Sequence, residues 1–145
     1  MTMFSEAAGR PVLSRASAEH IGDVKHFIVD VEARQVSGIT VGKGKNSAIL
    51  PWARITGFGP DAVMADTDDA VVPPASDMDK AAVAGKLQML KQRVLSDHGF
   101  LQGSVSDVEF DPDTGALIAI HTTTTVISAD QLRGAGSYAV VVATS

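Results

Sequence analysis

The sequence contains no cysteine among its 145 residues. That absence removes disulfides, thiol nucleophiles and thiolate metal ligands together, and leaves no positive sign of secretion. Long apolar runs are missing as well. Nothing approaches the ~18 residues of a membrane helix, and the N-terminal stretch carries Glu6 and no apolar run of signal-peptide length. A basic excess is also lacking: 12 Lys and Arg stand against 17 Asp and Glu, a net charge of −5. Most of the surface therefore repels phosphate, and nucleic acid is a poor default partner. These absences lead to the expectation of a soluble cytoplasmic protein without a membrane span. What is present suits a packed interior, with 45% hydrophobic and 20% charged residues. The length fits one ordinary domain, or two half-size units that share a core.

An internal repeat supplies the organisation. Val12-Leu13-Ser14 recurs as Val94-Leu95-Ser96. After a one-residue slip, Gly22 matches Gly103, Val24 matches Val105, Asp30 matches Asp111 and Ile39 matches Ile120, each 81 positions apart. After a further net loss of four residues the spacing becomes 77, and Gly57, Gly59, Ala62 and Val63 match Gly134, Gly136, Ala139 and Val140. The two slips fall in predicted loops, which is where a repeated fold tolerates them.

Each half reads as short strands. Residues 21–31 and 103–110 place apolar residues among polar ones as half-buried strands do. Asp111-Pro112-Asp113-Thr114-Gly115 has the chemistry of a hairpin turn, with a strand over 116–125 to follow. Within that strand the threonines 122–125 favour β structure, and their polar edge could accept a partner strand. In the first half, residues 36–41 run into a polar, glycine-rich tip at 42–46 that absorbs the four extra residues. Between the halves, 66–75 is acidic and then proline-rich. Ser76-Asp77-Met78-Asp79 has the form of a capping box, which predicts a short helix to about Gly85. Residues 86–95 suit either a continued helix or a strand, and the match of Val94 to Val12 favours the strand.

The order of these segments resembles the PRC-barrel family. His20-Ile21-Gly22-Asp23-Val24 before Val29-Asp30, and Ile49-Leu50-Pro51-Trp52-Ala53-Arg54-Ile55 before Gly57 and Val63, carry the resemblance in the first half. Leu101-Gln102-Gly103-Ser104-Val105, Phe110-Asp111, Val126-Ile127-Ser128 and Leu132-Arg133-Gly134 carry it in the second, which departs from the pattern at Ser128 and Ala129. The resemblance implies a mainly β fold of two small PRC-barrel-like β-barrel repeats, over 8–66 and 86–143, joined by a linker at 67–85 with a short helix. It also implies docking onto other macromolecules, since members as different as the cytoplasmic domain of the photosynthetic reaction-centre H subunit and the C-terminal domain of a ribosome-maturation factor share that habit and no common active site.

No catalytic constellation is apparent in the residues. Gly42-Lys43-Gly44-Lys45 lacks the spacing and following helix of a phosphate-binding loop and reads as a hairpin tip. Asp107, Glu109, Asp111 and Asp113 alternate as calcium ligands do, but Pro112 and Ile120 break that template, so a solvated face and turn is expected. His20, His26, His98 and His121 show no metal-ligand spacing, and no Gly-x-Ser-x-Gly elbow exists. The expectation is a protein that is not an enzyme and needs no cofactor or metal. It would dock onto another protein, with a homodimer as one form. Trp52, the sole tryptophan, suits core packing or an interface anchor. With Arg54, Lys43 and Lys45 it makes up the candidate docking set, and the divergence at 42–46 and 51–52 makes the first half the expected binding half. Two alternatives stand beside this: a ribosome- or RNA-associated maturation factor using Arg10, Arg15, Lys25, Lys43, Lys45 and Arg54, and a small-ligand-binding or enzymatic protein.

Overall fold

The computed structural model describes residues 1–43 and 46–143. Strand β1 (Thr2–Met3) leads into a one-turn helix α1 (Phe4–Ala7). The first half then runs β2 (Pro11–Ser14), β3 (His20–Asp30), β4 (Gln35–Lys43) and β5 (Asn46–Pro51), followed by a 3-10 turn (Trp52–Arg54), β6 (Ile55–Phe58) and β7 (Val63–Ala65). A 3-10 turn (Asp68–Ala70) and helix α2 (Asp77–Val83) lead to the second half. That half comprises β8 (Arg93–Ser96), β9 (Leu101–Phe110), β10 (Leu117–Thr122) and β11 (Val126–Ser128), then a 3-10 turn (Ala129–Gln131), β12 (Leu132–Ala135) and β13 (Ala139–Val142).

The protein is mainly β, built on two barrel-like sheets with one connectivity. The first is ordered β5-β4-β3-β2-β7-β6 and the second β11-β10-β9-β8-β13-β12. Each contains one parallel pair, Val12 beside Val63 and Val94 beside Val140. The one-residue slip in the repeat is the β2–β3 turn, where Ser14 N–H donates to the Glu19 carbonyl, against the tighter β8–β9 turn, where Ser96 N–H donates to that of Phe100. Gly22 and Gly103 recur because each sits at positive φ in a bulge. A Cβ there would stand 2.2 Å from Val41 Cγ1 or 2.7 Å from Thr123 Oγ1, closer than any side chain tolerates.

The halves share one core. Phe4 stacks on Phe27 at 4.0 Å between ring centroids, and Phe110 lies 5.5 Å from Phe4 and 5.3 Å from both Phe27 and Phe58. Backbone bonds cross too: Val36 N–H donates to the Gly115 carbonyl and Leu117 N–H to that of Arg34. The N-terminal segment, which falls outside both repeats, joins the second sheet as β1 on β9, with Thr2 opposite Phe110 and Met3 opposite Glu109.

The capping box forms: Ser76 Oγ accepts from Asp79 N–H at 3.0 Å, and Asp79 Oδ2 accepts in return from Ser76 N–H. Two sequence expectations are corrected. Residues 86–92 are neither helix nor strand, because Gly85 ends the helix at positive φ and Lys91 turns at φ 70° to donate to the Val105 carbonyl. The threonines 123–125 form the β10–β11 turn instead of extending the strand, since Thr122 Oγ1 accepts from the N–H groups of Thr124 and Thr125. Short hydroxyl side chains compete for backbone groups in this way.

Candidate docking surface

The structure spreads the sequence-derived candidates apart. Trp52 is half-buried, its ring 5.8 Å from Phe58 and 6.5 Å edge-on from Phe110. Gly115 lies so close beneath the ring that a Cβ there would be 3.0 Å from it. Arg54 Nε donates to Asp66 Oδ2 at 2.7 Å, and Nη2 donates to Thr67 Oγ1 at 2.9 Å and reaches Asp69 at 3.5 Å. The bond from Arg54 holds the Asp66 carboxyl below its ordinary range, and Asp66 in turn raises Arg54. The guanidinium therefore serves the 66–69 turn. Lys43 is exposed opposite Asn46, at the far end of the β4–β5 hairpin from Pro51 and Trp52. Five residues of strand, ~17 Å, separate the two ends. Lys45 lies outside the described residues.

The titratable groups pair off locally. His20 bonds to Asp23 at 2.9 Å and His121 to Glu109 at 3.3 Å. Asp107 accepts from Ser5 through both N–H and hydroxyl. Among the described residues no group of three or more His, Asp or Glu is placed to hold a metal ion. His26 lies where β3 meets residues 85–88, and burial lowers its pKa below the ordinary 6.5 against a raising bond from Gln88.

Matching the two halves position by position exposes an asymmetry that the single-residue reading missed. Phe100 and Leu101 are 69% and 67% exposed where the first half carries Glu19 and His20. Tyr138 is 65% exposed where the first half has Asp61, and Arg93 lies 4.1 Å over its ring. Val126 is 58% exposed, whereas its counterpart Ile49 is 7% exposed. The signal was present in the sequence as a substitution of aromatic and aliphatic residues for the polar Glu19, His20 and Asp61.

Ile49 is buried because the linker covers its strand edge. Ile49 N–H donates to the Val72 carbonyl and Val72 N–H donates back, both at 2.8 Å. Val126 has the same register, opposite His121 as Ile49 is opposite Thr40. Since Thr122 N–H donates to the Thr125 carbonyl one position away, alternation turns the Val126 backbone groups to the open side of β11. Among the described residues no strand pairs with that side.

A second opening lies between β3, the linker and Ala135 of β12. A cleft of about 430 Å³ runs along β3 from Phe27 to Val31 and is roofed by Met78, Ala82, Leu87 and Met89. Its walls are largely apolar, and Asp30 and Glu32 stand at one end.

The fold and these surfaces define a small double β-barrel whose openings are strand edges and exposed apolar side chains. The model of the PRC-barrel domain matches residues 1–77, just over half of the chain, and the chain belongs to that family. Comparison with curated proteins gave no match. No helix among the described residues is long and apolar enough to cross a membrane.

Proposed function

We propose that this protein is a non-catalytic docking module that recognises another protein through the outer surface of its second half. The observation that carries the reading is the asymmetry at equivalent positions. Phe100, Leu101, Val126 and Tyr138 stand exposed where the first half carries polar or acidic residues or a covered isoleucine. Contiguous exposed apolar surface marks interaction sites, and Tyr and Arg are both enriched among interface hot spots. The open edge of β11 adds backbone donors and acceptors to the same half. The PRC-barrel resemblance supports docking in general and leaves the partner to be found.

The test compares surfaces. A partner recovered on the immobilised chain and then purified should bind the parent protein. It should lose binding by at least about tenfold to a variant carrying Phe100→Ser, Leu101→Thr and Tyr138→Asp, the size expected when anchors are removed. Lys43→Ala should leave binding unchanged. The reading is overturned if the triple variant binds as the parent does, or if no stable partner is found and the chain sediments strictly as a monomer.

A further inference from the structure

The two halves also differ along the strand that forms the centre of each sheet. β9 pairs with β8 up to Val105, where Lys91 and Gln92 complete the ladder. Beyond that its free side is taken by β1, with Met3 opposite Glu109 and Thr2 opposite Phe110, and Phe4 follows into the core. β3 likewise pairs with β2 to Asp23, and Arg10 and Gly9 extend the ladder at Val24. Past Val24, no strand among the described residues lies on that side of β3. The residues equivalent to Glu109 and Phe110 are Ile28 and Val29, and these line the cleft. The cleft is thus the site that β1 fills in the other half.

We propose that this cleft binds an extended apolar segment of a partner protein, added antiparallel to β3 at Ile28 and Val29 as β1 is added to β9. The chain's own N-terminal strand is already committed to β9, so the occupant comes from elsewhere. The site runs along β3, with Ala135 of β12 at its wall, shares no residue with Phe100, Leu101, Val126 and Tyr138, and stands independently of the surface proposed above.

Three features define the occupant. The volume of about 430 Å³ lies in the range of ~300–1,000 Å³ that binding clefts span. The walls of Phe27, Val29, Met78, Leu87 and Met89 call for unbranched or aromatic apolar side chains, and the two methionines adapt to either. The antiparallel register that sets Thr2 opposite Phe110 runs the occupant's N-terminal end toward Asp30 and Glu32. Both carboxylates are exposed at the mouth, and neither has a salt bridge among the described residues. A basic residue two positions before the apolar pair, opposite Asp30, completes the match. Strand addition supplies affinity through the backbone and specificity through alternate side chains.

The probe is a synthetic peptide, acetyl-Lys-Thr-Met-Phe-Ser-amide, titrated into the isotopically labelled full chain and followed by amide and methionine-methyl resonances. Shifts confined to residues 27–32, Met78 and Met89 are expected. Substituting Asp30→Lys and Glu32→Lys, both at the surface, should weaken binding by about tenfold or more while the parent fold persists. Replacing the peptide's Met and Phe by Ser should abolish the shifts. The proposal is overturned if no shift occurs up to about 5 mM peptide, beyond the weakest affinity worth calling a site. It is equally overturned if the shifts fall on β9 or β11, or if the same resonances move with protein concentration alone, which would make the occupant a second copy. Occupation by decyltrimethylammonium without occupation by the peptide would assign the cleft to small amphiphiles and overturn it as well.

Discussion

The first half closes an edge that the second leaves open, and the second closes one that the first leaves open. Val72 covers Ile49 on β5, while Val126 on β11 is uncovered. β1 covers Glu109 and Phe110 on β9, while Ile28 and Val29 on β3 face a cleft. One connectivity therefore carries two surfaces, and the difference lies in the segments outside the repeats: residues 1–7 and the linker. Sheets with free edges are prone to pair with other chains, so what the connecting segments do not cover is where partners are to be sought.

The largest expected effect breaks both halves at once. Phe110→Ala removes a fully buried ring that touches Phe4, Phe27, Trp52 and Phe58, and should cost about 3–5 kcal/mol. Because the core is shared, urea denaturation should remain a single transition. Two separated transitions would mean that the halves fold independently.

The recurrent glycines sharpen the comparison. Gly22→Ala should cost about 2–4 kcal/mol, combining backbone strain with crowding of buried Val41. Gly103→Ala should cost about 1–2 kcal/mol, because Thr123 sits in an exposed turn and can rotate away. Equal losses in denaturation midpoint would contradict the packing described here. Next in size, Ile49→Ala should destabilise by about 2–3 kcal/mol, whereas Val126→Ala should stay within about 0.5 kcal/mol. Matching values would mean that the β11 edge is covered.

The smallest effect is one of pH. His26 and Asp107 occupy equivalent positions, the first against the linker and the second holding Ser5 of the N-terminal segment. Burial lowers the His26 pKa below 6.5 in the fold, so the unfolded chain binds the proton more readily. The stabilisation is complete above the unfolded value and is lost as pH falls from about 6.5 through the lower folded value. Denaturation midpoints at about pH 7.5 and about pH 5 should differ, and His26→Gln should remove that part of the slope. Further acid loss follows from Asp66, Asp68 and Asp69, whose bonds from Arg54, Ser14 and Thr67 lower them from 3.8. An unchanged slope in His26→Gln would place the sensitivity elsewhere.

Much of the fold was legible because it is periodic and repeated. The 81- and 77-residue spacings met real equivalences in register; the first slip fell in the β2–β3 turn, and the second in the β4–β5 hairpin, whose paired strands continue to Lys43 and Asn46 beyond the length of β10 and β11. The capping box at Ser76 and the hairpin at Asp111, where Asp113 N–H donates to Asp111 Oδ1 and Gly115 N–H to the Asp111 carbonyl, depend on local chemistry and were visible as such. Contacts between distant segments were not. Nothing in Thr2, Met3 and Phe4 says that they cross to the second sheet, and the threonines 123–125 have strand propensity that the bonds to the Thr122 hydroxyl override. The site was half legible. Trp52 and Arg54 are locally explained by packing and by the acidic turn, while the replacement of Glu19, His20 and Asp61 by Phe100, Leu101 and Tyr138 was written in the sequence but has meaning only once both members of each pair are seen to be on the surface.

The central claim is that equivalent strand edges are closed in one half and open in the other, and native-state amide hydrogen exchange reads it directly. The Ile49 amide, bonded to the Val72 carbonyl, should exchange only through substantial opening of the fold. The Val126 amide should exchange with little protection. Comparable, strong protection at Ile49 and Val126 in the isolated chain would contradict the account.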